Sequence, residues 1–286
     1  MKNFAVSFFV FAFALNAKAD FLPPNDLHLQ DSLFADGGIS EQEFNTVLDQ
    51  IEALYAPIFT SHGATLRLER KWDDPFVNAS ANKEGNTWIV SMYGGLARRP
   101  EVTADGFALV ACHEVGHHLG GFPFYRRQYT SFTNEGGSDY FSTQACSDLM
   151  WRNELEKNAA SRQTVAPEAK KICDSVHQGT DDQNLCYRKL TAGFGLATLV
   201  NSAIPGQHVP VKFDTPNVIR VLWTKDAHPQ AQCRLDTYVA GALCVKEFNS
   251  NIIPKSEDEM GQTSCTHDEG IPGARSRCWF KPHSRL

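Results

Sequence analysis

Ala111-Cys112-His113-Glu114-Val115-Gly116-His117-His118-Leu119-Gly120-Gly121 lies near the middle of the 286-residue chain. Apolar, helix-forming residues (Phe107, Leu109, Val110) precede it and Gly120-Gly121 follows as a stop, so the spacing predicts a helix over about 103–119. On that helix His113 and His117 stand one turn apart on the same face. Two imidazoles so placed can share one metal ion. Glu114, beside them, can reach a water in the metal's open coordination position. This is the His-Glu-x-x-His arrangement of zinc peptidases, two ligands plus a general base for hydrolysis. His118 points about 100° away from His117 and reads as a solvated neighbour.

A catalytic zinc takes three protein ligands and one water. The nearest downstream candidate is Glu135, with Asp139 four residues on. On a helix these two share a face, so one carboxylate can bind the metal while the other accepts a hydrogen bond from a ligand histidine and fixes its tautomer. Glu135 is expected as the third ligand and Asp139 as the histidine's partner; the reverse assignment stays open. The longer pattern His-Glu-x-x-His-x-x-Gly-x-x-His fails, because Gly120 fits but Pro123 stands where a third histidine is required.

The chain opens with Lys2, an apolar run from Phe4 to Leu15, and Ala17-Lys18-Ala19, which reads as a signal peptide (residues 1–19) cut before Asp20. The run is too short to span a bilayer, and no other stretch comes closer, so no transmembrane segment is expected in the mature protein. Removing residues 1–19 takes away Lys2 and Lys18 and no acid, moving the formal charge from −6 to −8. An acidic balance argues against nucleic acid as a partner. Eight cysteines behind an export signal imply disulfides, and the absence of any Cys-x-x-Cys argues against thiolate metal ligands. Pairing nearest neighbours gives Cys112–Cys146, Cys173–Cys186, Cys233–Cys244 and Cys265–Cys278. The expected location is the periplasm or the medium.

Around the metal helix the pattern is mixed α and β. Ser40 with Glu43 forms a capping box, and apolar residues from Phe44 to Tyr55 recur at helical spacing up to about Pro57. Ala64, Leu66 and Leu68 alternate with polar residues as a half-buried strand, and Thr87–Tyr93 reads as a second. Trp88, Ile89, Val90 and Ser91 of the second are candidates for an edge that pairs with an extended substrate. A helix follows Glu135 through Trp151. A polar linker at about 158–166 precedes helical segments near 167–176 and 184–203. The remainder, from about 245, is loop-rich. Residues 20–286 are taken as a single domain.

Together His113-Glu114-x-x-His117, Glu135-x-x-x-Asp139 and His228-Pro229 with Arg234 six residues after the histidine resemble, in order, three motifs of the HtpX and CAAX-prenyl-protease family of gluzincin peptidases. Asn78-Ala79-Ser80-Ala81 is similar to that family's N-A-x-A stretch. The likeness covers roughly residues 78–140 and 226–240. Ala227 and Leu235 depart from the family's usual threonine and isoleucine, and the cysteines are extra. The resemblance implies an α+β gluzincin fold, a small antiparallel sheet with an edge strand packed on a mainly helical domain. It also implies that His228 donates to the oxyanion and that Arg234 pairs with Glu135 or braces the site.

The resulting expectation is an exported zinc endopeptidase acting on protein or peptide substrates, with one Zn²⁺ on His113, His117 and Glu135 and with Glu114 as general base. Two alternatives belong to other classes: a zinc-binding quality-control protein with little proteolysis, and a disulfide-framed interaction protein without metal. Cleavage specificity and oligomeric state are not legible.

Overall fold

The computed structural model describes residues 18–30, 37–126, 131–204, 206, 209–266 and 270–283; most of the expected signal peptide lies outside them. Strand β1 is Lys18–Asp20. Helix α1, Glu41–Ser61, opens on the expected capping box: Ser40 Oγ accepts from the Glu43 N–H at 3.2 Å, and Glu43 Oε2 accepts from the Ser40 N–H at 2.9 Å. It buries Phe44, Leu48, Ile51, Tyr55 and Phe59 along one face. The helix does not end at Pro57 but runs through it to Ser61. One backbone hydrogen bond is lost there, and the turn beyond is held by Phe59, which packs edge-on against Trp88 and His118.

Strands β2 (Thr65–Lys71), β3 (Ala79–Glu84) and β4 (Thr87–Tyr93) join β1 in one sheet of order β1-β3-β4-β2. β3 and β4 form a hairpin around Gly85-Asn86, with Gly85 at φ +62°. The sheet is mixed, not antiparallel as expected: β1 with β3 and β3 with β4 are antiparallel, while β2 and β4 run parallel. The chain reverses between β2 and β3 and again at the hairpin, so β4 returns in the direction of β2. A second correction concerns Trp88, Ile89, Val90 and Ser91. Residues 79–84, which carry no strand pattern in the sequence, form strand β3, so β4 is paired on both sides and has no free main chain to offer a substrate.

After a short α2 (Gly94–Ala97) comes α3, Ala104–Leu119, capped by Thr103 Oγ1 on the Gly106 N–H at 3.1 Å. Every residue from Gly106 to Leu119 is buried, so this helix is enclosed on all sides. It touches the sheet, chiefly β3 and β4, on one face and α1 and, chiefly, two later helices on the others. The first of those, α4 (Glu135–Phe141), is capped by Asn134 and continues through a π turn (Ser142–Cys146) into α5, Ser147–Trp151. Then follow α6 (Leu155–Ser161), which runs into the start of the expected linker, α7 (Pro167–Asp174) and α8 (Thr180–Ala203), the second of them. Helices α9 (Ala231–Leu243) and α10 (Glu257–Thr263) complete the described elements. None of the described helices is long and apolar enough to cross a membrane.

Four disulfides staple this framework. Cys112–Cys146 ties α3 to the π turn, and Cys173–Cys186 ties α7 to α8. The other two are nested, Cys244–Cys265 inside Cys233–Cys278, not the expected Cys233–Cys244 and Cys265–Cys278. The reason is helical rise. Cys233 starts α9 and Cys244 caps it, so they sit about 16 Å apart, far beyond the reach of one disulfide. Each end of α9 is instead clipped to the C-terminal segment. Non-reducing peptide mapping should yield fragments joining Cys233 to Cys278 and Cys244 to Cys265. Fragments joining Cys233 to Cys244 would contradict this topology.

Candidate metal centre

The site forms where α3, α4 and α9 meet. Gly116 lets α4 come against α3, because a Cβ there would lie 3.1 Å from Ser138 Cα and 3.0 Å from the Phe141 ring. Gly241 does the same for α9, where a Cβ would lie 2.6 Å from the Tyr140 carbonyl. Bulkier residues at either place would separate the helices that carry the site.

His113, Glu114, His117, Glu135, Asp139 and Arg234 are each 0 % exposed. His113 Nδ1 donates to Asp139 Oδ1 at 2.8 Å, and His117 Nδ1 donates to the Thr133 carbonyl at 2.8 Å. Both acceptors lack a proton of their own, so each ring carries a hydrogen on Nδ1, and in its neutral form each ring keeps its lone pair on Nε2. Those two Nε2 atoms face each other at 3.1 Å. Two nitrogens bound about 2.0–2.1 Å from one tetrahedral zinc would stand about 3.3 Å apart. Across from them, Glu135 places Oε2 3.3 Å from His113 Nε2 and Oε1 3.7 Å from His117 Nε2. His113, His117 and Glu135 thus form the group that could hold a metal ion among the described residues. Glu135 Oε2 has no hydrogen-bond donor and so keeps its lone pairs free for an ion, and the two-imidazole, one-carboxylate donor set fits a divalent metal.

Asp139 is no ligand. Its carboxylate accepts from Arg234 twice (Nε to Oδ2 at 2.9 Å, Nη2 to Oδ1 at 2.5 Å), from the Tyr238 hydroxyl at 3.0 Å and from His113. Burial opposes its charge, but Arg234 and His113 outweigh burial and hold its pKa below the usual aspartate range. Arg234 therefore pairs with Asp139 rather than Glu135. Burial likewise opposes a charged His113, yet Asp139 and Glu135 raise its pKa to about 9, whereas burial lowers that of His117 to about 4. His113 has both Asp139 and Glu135 to favour its charge, whereas His117 has only Glu135 of the two and is opposed by His113 and His228.

Glu114 is separate from this network. Both its oxygens are buried and without a hydrogen-bond partner, and burial pushes its pKa well above the ordinary glutamate value. Oε2 lies 4.0 Å from His117 Nε2. A carboxyl held in this way binds a proton more readily than a solvated one, which suits it to proton transfer. His228 Nε2 lies 3.5 Å from Glu135 Oε2, so this distant histidine does reach the centre.

His118 is not solvated. It is buried, stacks on Trp88 with centroids 5.4 Å apart, and donates from Nε2 to the Ile89 carbonyl at 3.1 Å. Burial lowers its pKa and keeps it neutral. Trp88 by its ring and Ile89 by its carbonyl thus back the helix from inside the sheet, while Ser91 turns its hydroxyl to Glu69 at 2.7 Å. Sequence reasoning missed Tyr125, whose hydroxyl donates to Glu135 Oε1, and Tyr238. Tyr238 follows Arg234 by one helical turn and was discoverable from that spacing. Tyr125 lies in a loop with no periodic signal.

Comparison with known proteins gives no match: no family model fits the chain, and no curated protein or solved structure is similar to it.

Arg234→Met should destabilise the metal-free protein by about 3–5 kcal/mol, because Asp139 would be left as a buried carboxylate without its cation. Denaturant unfolding measures this, and an unchanged midpoint would disprove the dependence.

Proposed function

We propose that this chain is an exported zinc-dependent endopeptidase of the gluzincin kind. One observation carries the reading: two imidazole lone pairs and a carboxylate oxygen converge on one buried point, beside a glutamate with no hydrogen-bond partner. A zinc ion held by His113, His117 and Glu135 would supply a Lewis acid and an activated water. Every other role falls to side chains. Glu114 accepts the water's proton and returns it to the leaving amine, a cycle suited to a carboxyl whose pKa burial has raised. His228 donates from Nε2 to the carbonyl oxygen as negative charge gathers there. Asp139, held by Arg234 and Tyr238, keeps His113 in the tautomer that aims Nε2 at the metal.

Four disulfides suit a protein that folds in an oxidising compartment, in line with export to the periplasm or beyond. Main-chain pairing suits protein or peptide substrates in extended form. One observation favours a second reading, a metal-holding protein with little hydrolysis: Glu114 has no contact with solvent.

Glu114→Gln should bind one zinc per chain, as the wild type does, and lose at least about 100-fold in cleavage of unfolded casein. His228→Ala should keep the metal and slow turnover by about 100-fold. Metal analysis beside a casein assay, with and without chelator, reads both. Undiminished cleavage by Glu114→Gln would refute the mechanism, and zinc without cleavage in every form would select the second reading.

A further inference from the structure

A hydrolase must admit water and substrate, yet the four residues at the heart of this site are fully buried. Part of what covers them is the chain's own beginning. β1 pairs antiparallel with the outer edge of β3, with Lys18 opposite Asn82, Ala19 opposite Ala81 and Asp20 opposite Ser80. Just beyond, the Phe21 N–H donates to the Ala79 carbonyl at 3.0 Å. Hydrogen-bonding positions alternate along an antiparallel ladder, so Ala19 shares the state of Phe21, and Asp20 between them turns its carbonyl away from β3. That carbonyl accepts from His228 Nε2 at 2.7 Å. The same nitrogen is the one that stands 3.5 Å from Glu135 Oε2.

The next residues are gripped as firmly. The Phe21 carbonyl accepts from Arg234 Nη1 at 2.7 Å, and its ring lies 4.2 Å from the Arg234 guanidinium and edge-on to His113 at 5.3 Å. Leu22 exchanges two hydrogen bonds with the Asn78 side chain, N–H to Oδ1 at 2.8 Å and Nδ2 to its carbonyl at 3.3 Å. Extended main chain, antiparallel pairing and an outward carbonyl on the His228 donor are together what a bound peptide would show.

We propose that the outer edge of β3 is the seat for an extended peptide substrate, and that residues 18–21 of this chain fill it as an internal substrate mimic. The proposal rests on the hydrolase reading of the site for its purpose, but not for its geometry. The Asp20 carbonyl occupies the place of the carbonyl to be attacked, and no external strand can pair with β3 until β1 leaves. A cut before Asp20 would carry off Lys18 and Ala19, the residues facing Asn82 and Ala81. The processing step expected from the sequence would then also uncover that half of the edge.

Two experiments on the full-length chain test this. Ala19→Pro removes an N–H from the β1–β3 ladder and should release β1. With metal stripped by chelator, so that nothing is hydrolysed, binding of a fluorescein-labelled peptide copying residues 18–24 is followed by anisotropy. The variant should bind at least about tenfold tighter than the wild type, because the fraction of open sites limits apparent affinity. Equal affinities would overturn the proposal. Hydrogen exchange on the wild type needs no variant to fold: the Phe21 and Ala81 amides should exchange as slowly as those of β4, and exchange at the rate of an unfolded chain would overturn it. The zinc-loaded proteins then separate the two ideas. Tighter peptide binding by Ala19→Pro without casein cleavage by either form would uphold the occluding strand and reject the hydrolase. Equal cleavage by both, lost in Glu114→Gln, would uphold the hydrolase and reject the strand.

Discussion

Asp139 is a carboxylate without access to water, and the arrangement of the site follows from how its charge is balanced. Left alone, such a group would take up a proton, because burial penalises its ionised form. Arg234 prevents this with two hydrogen bonds, and Tyr238 and His113 add one each. Charge balance then becomes geometry. An ionised Asp139 can only accept, so His113 keeps a hydrogen on Nδ1, and Nε2 is the nitrogen that a neutral ring turns to the metal. The dependence runs both ways: a guanidinium as buried as Arg234 is tolerable only beside a carboxylate. Since Arg234 and Tyr238 are a helical turn apart on α9, the same pair fixes where α9 packs.

Close packing serves this electrostatic requirement. Gly116 and Gly241 bring α4 against α3 and α9 against α4, within the distances that side-chain hydrogen bonds need. The Cys112–Cys146 bridge holds α3, with both histidines, to the segment just beyond Asp139. The sheet contributes from the other side. β4 supports the metal helix through the stack of Trp88 on His118, and β3 holds β1 beside the site. His117, its adjacent structural histidine and the strand carbonyl under that histidine form one continuous column from site to sheet.

Much of the metal group was legible because it is local and periodic. His113 with His117, and Glu135 with Asp139, are four-residue repeats that a helix must bring to one face, and the capping box at Ser40 marked α1 correctly. The sheet was harder to read. β3 has the sequence Ala-Ser-Ala-Asn-Lys-Glu, with no β-branched or aromatic residue, so its partner β4 was mistaken for an edge. His118 was misplaced because an enclosed helix has no solvated face to receive it. The C-terminal disulfides were misjudged because proximity in sequence was used where α9 sets the distance: residues joined by a rigid rod are near neighbours in number and distant in space. The N-terminal strand gave no sign of its destination, since only tertiary contact assigns residues 18–22 to their partners.

The site draws its parts from nearly the whole length of the chain. Asp20 and His228 meet across 208 positions, and Phe21 and Arg234 across 213. Contacts so distant in sequence form late, because closing long loops costs entropy before any contact is gained. A nascent chain that has emerged only as far as α8 contains both histidines and both carboxylates but lacks Arg234, Tyr238 and His228. Without them Asp139 is left to protonate, and His113 has no fixed tautomer. Metal-binding geometry is therefore coupled to completion of the polypeptide, and an unfinished or truncated copy lacks the means to assemble it.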